Sequence, residues 1–171
     1  MKNPVFVALI ALFFNASATA VSLVPAPPGI NADAYLLLDF ITGEILVEHN
    51  IDTRLPPASL TKLMTSYILA EEVDAGRLSL DDEVTVSRNA WSQNPKFRGS
   101  SLMWIEPGKV VTVGELEQGI AISSGNDATV AIAEHIAGSE GAFVALMNRY
   151  AEELGLAATH FENTHGLPNS D

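Results

Sequence analysis

The chain has 171 residues, 47% of them hydrophobic and none of them cysteine, with 21 acidic residues against 9 basic ones and a formal net charge of −12. That is enough apolar material for one domain with its own core, and a disulfide scaffold is excluded. An acidic balance without basic patches excludes nucleic acid as a partner, because phosphate binding needs clustered lysine and arginine.

The first twenty residues read as an export signal. Lys2 gives the positive start, Val5 to Phe14 is an apolar run, and Ala18-Thr19-Ala20 is a small-x-small cleavage site. The apolar run is too short to span a bilayer, and no other segment approaches that length. Export without cysteine suits a bacterial periplasm. Residues 21–33 then read as a linker, stiffened from Pro25 to Gly29, ahead of a domain over 34–171.

Tyr35 to Phe40 and Glu44 to Glu48 are two strand-like runs around Thr42-Gly43, which predicts a hairpin. Three consecutive leucines, Leu36 to Leu38, predict a strand buried on both faces. Ser59 to about Ala75 reads as a helix. Leu60, Leu63, Met64, Tyr67 and Ile68 follow the helical spacing, and Leu69, Ala70 and Val73 predict burial nearly all round. Ser59, Lys62 and Ser66 fall on one narrow stripe of that helix, and a polar stripe on a buried helix needs partners.

Asp74 to Pro107 reads as turns and polar loops. Thr112-Val113-Gly114-Glu115 is a capping box opening a helix toward Ile122. A second helix is expected from Asp127, as its N-cap, to Ala137, with Gly138 as its stop. A third places Phe143, Leu146, Met147, Tyr150 and Leu154 on one face and ends at Gly155. The four histidines, His49, His135, His160 and His165, share no metal-ligand spacing and there is no H-E-x-x-H. No metal and no cofactor is therefore expected.

The chemistry concentrates in two short words. Ser59-Leu60-Thr61-Lys62 sets a serine and a lysine about 60° apart on a helix, close enough for their side chains to meet. There a lysine amine can take the serine proton and create a nucleophile. S-x-x-K alone is short enough to arise by chance. The second word, Ser123-Ser124-Gly125-Asn126-Asp127, lies between two helices and by itself reads as caps and turn formers. Together they supply a nucleophile, a base, a second hydroxyl to pass a proton to a leaving amine, and an amide to hold a substrate carbonyl.

The pair S-x-x-K and S-x-N resembles the signature of penicillin-binding proteins and serine β-lactamases. The longer words PPASLTKLMTSYI, GSSLMWIEPG, ISSGNDATVAIAEHIAGSE and THFENTHGL, spread from about Ile30 to Leu167, resemble the low-molecular-mass D-alanyl-D-alanine carboxypeptidases. The resemblance implies an α+β fold of the DD-peptidase/β-lactamase kind, a helical cluster packed on an antiparallel sheet that includes the hairpin. It also implies an exported serine peptidase that removes the terminal D-alanine from peptidoglycan stem peptides and is acylated by β-lactams as covalent inhibitors. In that reading Ser59 is the nucleophile, Lys62 the general base, Ser124 the proton relay, and Asn126 a substrate-binding residue. The Ser59 backbone N–H would serve as one oxyanion donor, and burial would lower the pKa of Lys62.

The family's third motif, K-T-G, is not in this sequence, whose lysines are Lys2, Lys62, Lys96 and Lys109. The expectation is therefore an N-terminal part of the catalytic domain, cut before the remaining strands and the C-terminal membrane anchor, with only the hairpin's two strands, inactive and poorly stable on its own. Three other readings stand beside it. A class A β-lactamase would need a glutamate-activated water, for which Glu162 is the nearest candidate. A transpeptidase would share every residue named. A penicillin-recognition or scaffold module would share the site without turnover.

Overall fold

The computed structural model describes residues 27–168, so the signal segment and part of the linker lie outside the described residues. The chain divides after Thr53 into two compact units.

The first holds the hairpin. β1 (Tyr35–Leu38) pairs antiparallel with β2 (Ile45–His49), with a bulge at Leu37/Leu38. The first strand is shorter than the pattern predicted because Asp39 ends it, and the second has its predicted length one residue further along. Its carboxylate accepts from the Ile41 and Thr42 N–H groups and the Thr42 hydroxyl, and Gly43 supplies the positive φ that closes the turn. Leu36, Leu37 and Leu38 are 48–55% exposed rather than buried on both faces. A ribbon of two strands covers only its hydrogen-bonding edges and leaves its faces open.

The second unit is a helical cluster beside a second small sheet. α1 (Lys62–Asp74) continues a 3-10 turn over Ala58–Thr61. β3 (Glu83–Thr85) and β4 (Val110–Thr112) pair antiparallel, so the loop-rich stretch expected from Asp74 to Pro107 contains a strand, and the hairpin is not the sole strand pair. Three residues each are too few for the alternation to be legible. α2 (Val113–Ser123) starts on the predicted capping box, with the Thr112 hydroxyl on the Glu115 N–H and the Glu115 carboxylate on the Thr112 N–H. α3 (Asn126–Ala137) ends at Gly138 with φ 80°, and α4 (Glu140–Glu153) is capped by Ser139. The fold class is α+β, as expected.

α3 is the central element. All residues from Asn126 to Ala133 are buried, and its alanines let α2 and α4 approach closely. One core cluster joins Leu69 of α1 to Phe97, Val113, Leu116 and Ile132; the other joins Met64 and Ile68 to Phe143, Met147 and Phe161. Burying each such side chain contributes about 1.5–3 kcal/mol.

α1 is not buried all round. Met64, Ile68 and Leu69 enter the core, while Leu60 and Leu63 are 67% and 70% exposed and Tyr67 packs edge-on against Tyr150. Leu60, Leu63 and Met64 line a cleft of about 680 Å3. The buried face is thus rotated from the one predicted, and the rotation brings Thr61, Lys62 and Thr65 inward.

Candidate active site

Ser59 sits on the 3-10 turn rather than in α1 itself. Such a turn has three residues per revolution and eclipses positions i and i+3, so Lys62 stands over Ser59 more directly than an α-helix would place it. The turn begins at Ala58, held at φ 48°, a conformation an alanine adopts only under constraint. The constraint is visible on its other side. Gly166, at φ 81°, lies against the turn so closely that a Cβ there would collide with the Ala58 carbonyl oxygen and stand 2.7 Å from Thr61 Oγ1.

The second word folds as α2–α3 punctuation. Ser124 caps α2 in the left-handed conformation, with φ 51°, and Gly125 opens α3. Gly125 is the actual N-cap, correcting the expectation for Asp127. A Cβ on Gly125 would lie 3.0 Å from the Met103 backbone nitrogen. Asp127 instead points its carboxylate across to the neighbouring segment. It accepts from the N–H groups of Met103 at 2.8 Å, Trp104 at 2.9 Å and Ile105 at 3.2 Å. Asn126 N–H donates to the Ser101 carbonyl at 2.9 Å. The segment 101–105 is thereby stitched to the S-x-N loop, with Trp104 held at φ 68°.

All four site residues predicted from sequence meet. Lys62 Nζ donates to Ser59 Oγ at 3.2 Å and to Asn126 Oδ1 at 2.6 Å, and Ser124 Oγ lies 3.1 Å from Ser59 Oγ. Ser66 does not join them. A further acceptor, which no sequence pattern identified, is the His165 carbonyl at 3.1 Å from Lys62 Nζ. All three of these partners of Lys62 are uncharged. With the side chain only 5% exposed, burial pushes the amine down to about 8. About a tenth of it is then neutral at pH 7, and a neutral amine beside a serine hydroxyl is a base within reach of its proton.

The His165 segment is fixed by polar contacts that sequence reasoning also missed. Thr65 Oγ1 donates to the Thr164 carbonyl at 2.8 Å, Asn163 Oδ1 accepts from the His165 and Gly166 N–H groups, and Leu167 N–H donates to His165 Nδ1. The available signal was the word THFENTHGL, whose threonine, histidine and glycine carry no chemistry at a fixed spacing. Glu162 is exposed and hydrogen-bonds neither Ser59 nor Lys62 among the described residues. No cluster of metal-ligating side chains occurs among the described residues.

The comparisons agree on a single family. The family model described as D-alanyl-D-alanine carboxypeptidase matches residues 21–171. The chain is 47% identical over 172 aligned residues to the D-alanyl-D-alanine carboxypeptidase DacD of Salmonella typhimurium, covering 98% of this chain and 44% of that protein. It is 49% identical to DacA of Escherichia coli over 147 residues, covering 85% and 36%. Among solved structures, penicillin binding protein 5 of Haemophilus influenzae matches with TM-score 0.79 at 43% identity, over 85% of this chain and 42% of that one. DacD of Francisella tularensis matches with TM-score 0.80 at 42% identity, over 93% and 38%. The chain spans less than half the length of these two curated relatives.

Proposed function

This chain belongs to the D-alanyl-D-alanine carboxypeptidase family, and from that premise we propose that it carries the acylation site of a serine carboxypeptidase acting on peptidoglycan stem peptides, with β-lactams as covalent inhibitors. The observation that carries this reading is the Ser59 hydroxyl held between Lys62 Nζ at 3.2 Å and Ser124 Oγ at 3.1 Å.

In the proposed reaction the neutral Lys62 amine takes the Ser59 proton while Oγ attacks the carbonyl carbon of the terminal D-Ala–D-Ala peptide bond. The Ser59 backbone N–H faces the developing oxyanion. As the C–N bond breaks, the proton on Lys62 moves through the Ser124 hydroxyl to the departing D-alanine nitrogen, leaving an ester on Ser59. Water, deprotonated by the same amine, then hydrolyses that ester and restores the serine. A β-lactam takes the same path, its ring amide opening instead. Asn126 spends Oδ1 on Lys62, which leaves its Nδ2 to donate to a substrate backbone carbonyl.

Residues 1–20 would be the export signal, 21–33 the linker, and 34–171 part of the catalytic domain, placed in the periplasm. The β-lactamase alternative gains no support, since Glu162 is exposed and away from the hydroxyl it would have to serve.

The test is covalent labelling by a fluorescent penicillin, alongside release of D-alanine from a D-alanyl-D-alanine peptide, in the protein that carries this sequence. Ser59→Ala should abolish both, and Lys62→Ala should slow acylation severely. A folded Ser59→Ala protein that still labels would refute the assignment.

A further inference from the structure

We propose that Glu140, in the first turn of α4, is a positioning residue for the Lys62 amine, holding Thr164 and His165 so that the His165 carbonyl and the Asn126 side chain meet that amine together. The inference rests on the catalytic reading above and adds a residue to it.

Two contact routes run from one carboxylate oxygen to Lys62. The Thr164 hydroxyl proton is shared between two acceptors, Glu140 Oε1 at 3.2 Å and Thr129 Oγ1 at 3.1 Å. Thr129 donates to the Asn126 backbone carbonyl at 2.7 Å, and Asn126 Oδ1 receives Lys62. The second route passes through the next residue along. The same Oε1 stands 3.6 Å from His165 Nε2, and the His165 carbonyl accepts from Lys62 Nζ. Thr65, one turn along α1 from Lys62, ties the intervening Thr164 carbonyl to the helix that bears the base.

The carboxylate is itself held. Lys96 Nζ donates to its other oxygen at 3.0 Å and to Asn89 Oδ1 at 2.8 Å. Burial raises the Glu140 pKa, but the Lys96 ammonium and the surrounding donors outweigh it and hold the carboxyl below its ordinary value. Burial pushes His165 down to about 4 despite the nearby carboxylate. The ring is therefore neutral, and Leu167 N–H on Nδ1 puts its single proton on Nε2, facing Glu140. The charged and titratable groups around the carboxylate are thus Lys96 from the loop before β4 and His165 from the closing segment, with Lys62 beyond. Of these groups the carboxylate alone accepts from the Thr164 hydroxyl, which it shares with Thr129 Oγ1.

The experiment measures the second-order rate of labelling by a fluorescent penicillin between pH 6 and 10, with thermal melts, for the parent protein, Glu140→Ala, Glu140→Gln, Thr164→Val and Ser59→Ala. Glu140→Ala should slow acylation about 10- to 100-fold, the range expected when a reacting group loses its alignment. Its acid limb, expected near pH 8 in the parent from the lowered Lys62 pKa, should move upward as the loosened cage admits water to Lys62. Glu140→Gln keeps an acceptor for Thr164 and should recover most of the rate. Thr164→Val cuts the first route without changing volume and should slow acylation in the same direction.

A folded Glu140→Ala protein with parental rate and limb would overturn the proposal. Slowing shared equally by Glu140→Ala and Glu140→Gln with an unmoved limb would also overturn it, as the mark of general destabilisation. If Glu140→Ala does not fold, Glu140→Gln and Thr164→Val decide by the same two readouts. Failure of the parent to label, or labelling of Ser59→Ala, would remove the catalytic reading and this role with it, whereas a normal parent with indifferent Glu140 variants removes only the role.

Discussion

Lys62→Met makes the electrostatic argument for the site quantitative. The amine falls from 10.5 to about 8 because it is buried among uncharged acceptors. Each tenfold change in proton affinity corresponds to about 1.4 kcal/mol, so keeping the protonated amine in the folded protein costs about 3 kcal/mol. The sign follows from linkage. Above pH 10.5 folded and unfolded chains both hold the neutral amine and there is no penalty. Between 10.5 and about 8 the unfolded chain takes up a proton that the folded one does not, so stability falls as pH falls. Below about 8 both are protonated and the full penalty persists. Methionine has nearly the same shape and no proton. It leaves Asn126 Oδ1 and the His165 carbonyl without a donor, at about 1–3 kcal/mol each, but that loss does not vary with pH.

The assay is urea unfolding of the parent and Lys62→Met at pH 7, 8, 9 and 10.5, reading the difference in stability. Other titrating groups cancel in that difference. It should move in favour of the methionine variant by about 3 kcal/mol from pH 10.5 to pH 7, with most of the change above pH 8. A difference that is flat across this range would refute the buried, weakened base, and with it the physical ground for assigning Lys62 that role.

Three further outcomes follow from the geometry. Gly166→Ala must place a Cβ against the Ala58 carbonyl at a left-handed φ, so it should cost about 2–4 kcal/mol and suppress penicillin labelling by displacing the Ser59 turn; melts and labelling on one preparation check both. Asp127→Ala leaves four backbone N–H groups, those of Met103, Trp104, Ile105 and Ala128, without their acceptor and should cost about 3–5 kcal/mol by denaturant unfolding. His165 must enter the fold neutral, since burial pushes it from 6.5 to about 4. Stability should therefore fall as pH drops through that window, and His165→Asn should flatten the slope in urea titrations between pH 7 and 4.

What could be read from the sequence separates from what could not along a physical line. The helices were legible because each carries its own punctuation: the Thr112–Glu115 box, Gly138 after α3, Gly155 after α4. Such signals act within a few residues and need no knowledge of the rest of the chain. Ser59, Lys62, Ser124 and Asn126 were legible because reactive side chains stand at fixed short spacings in two words. The strands β3 and β4 were not, being three residues each and dependent on a partner some 25 residues away. Asp127 had the right residue type for an N-cap, yet its carboxylate accepts from Met103, Trp104 and Ile105, donors that only the tertiary fold brings within reach.

The same distinction explains why the face of α1 was misplaced. Hydropathy assigned Leu60 and Leu63 to the core and left Ser59, Lys62 and Ser66 as a stripe needing partners. The structure buries Lys62 of that stripe, with Thr65 beside it, and leaves those leucines exposed, because Asn126, Thr164 and His165 accept from the Lys62 amine and the Thr65 hydroxyl. A buried lysine is affordable only where such acceptors are already arranged around it. They come from a helix start and a loop, 64 and 103 residues along the chain. The base is weakened by the same burial that the acceptors make tolerable, so the positions that fix the Lys62 cage, Gly166 and Thr164 among them, bear on the chemistry as directly as on stability.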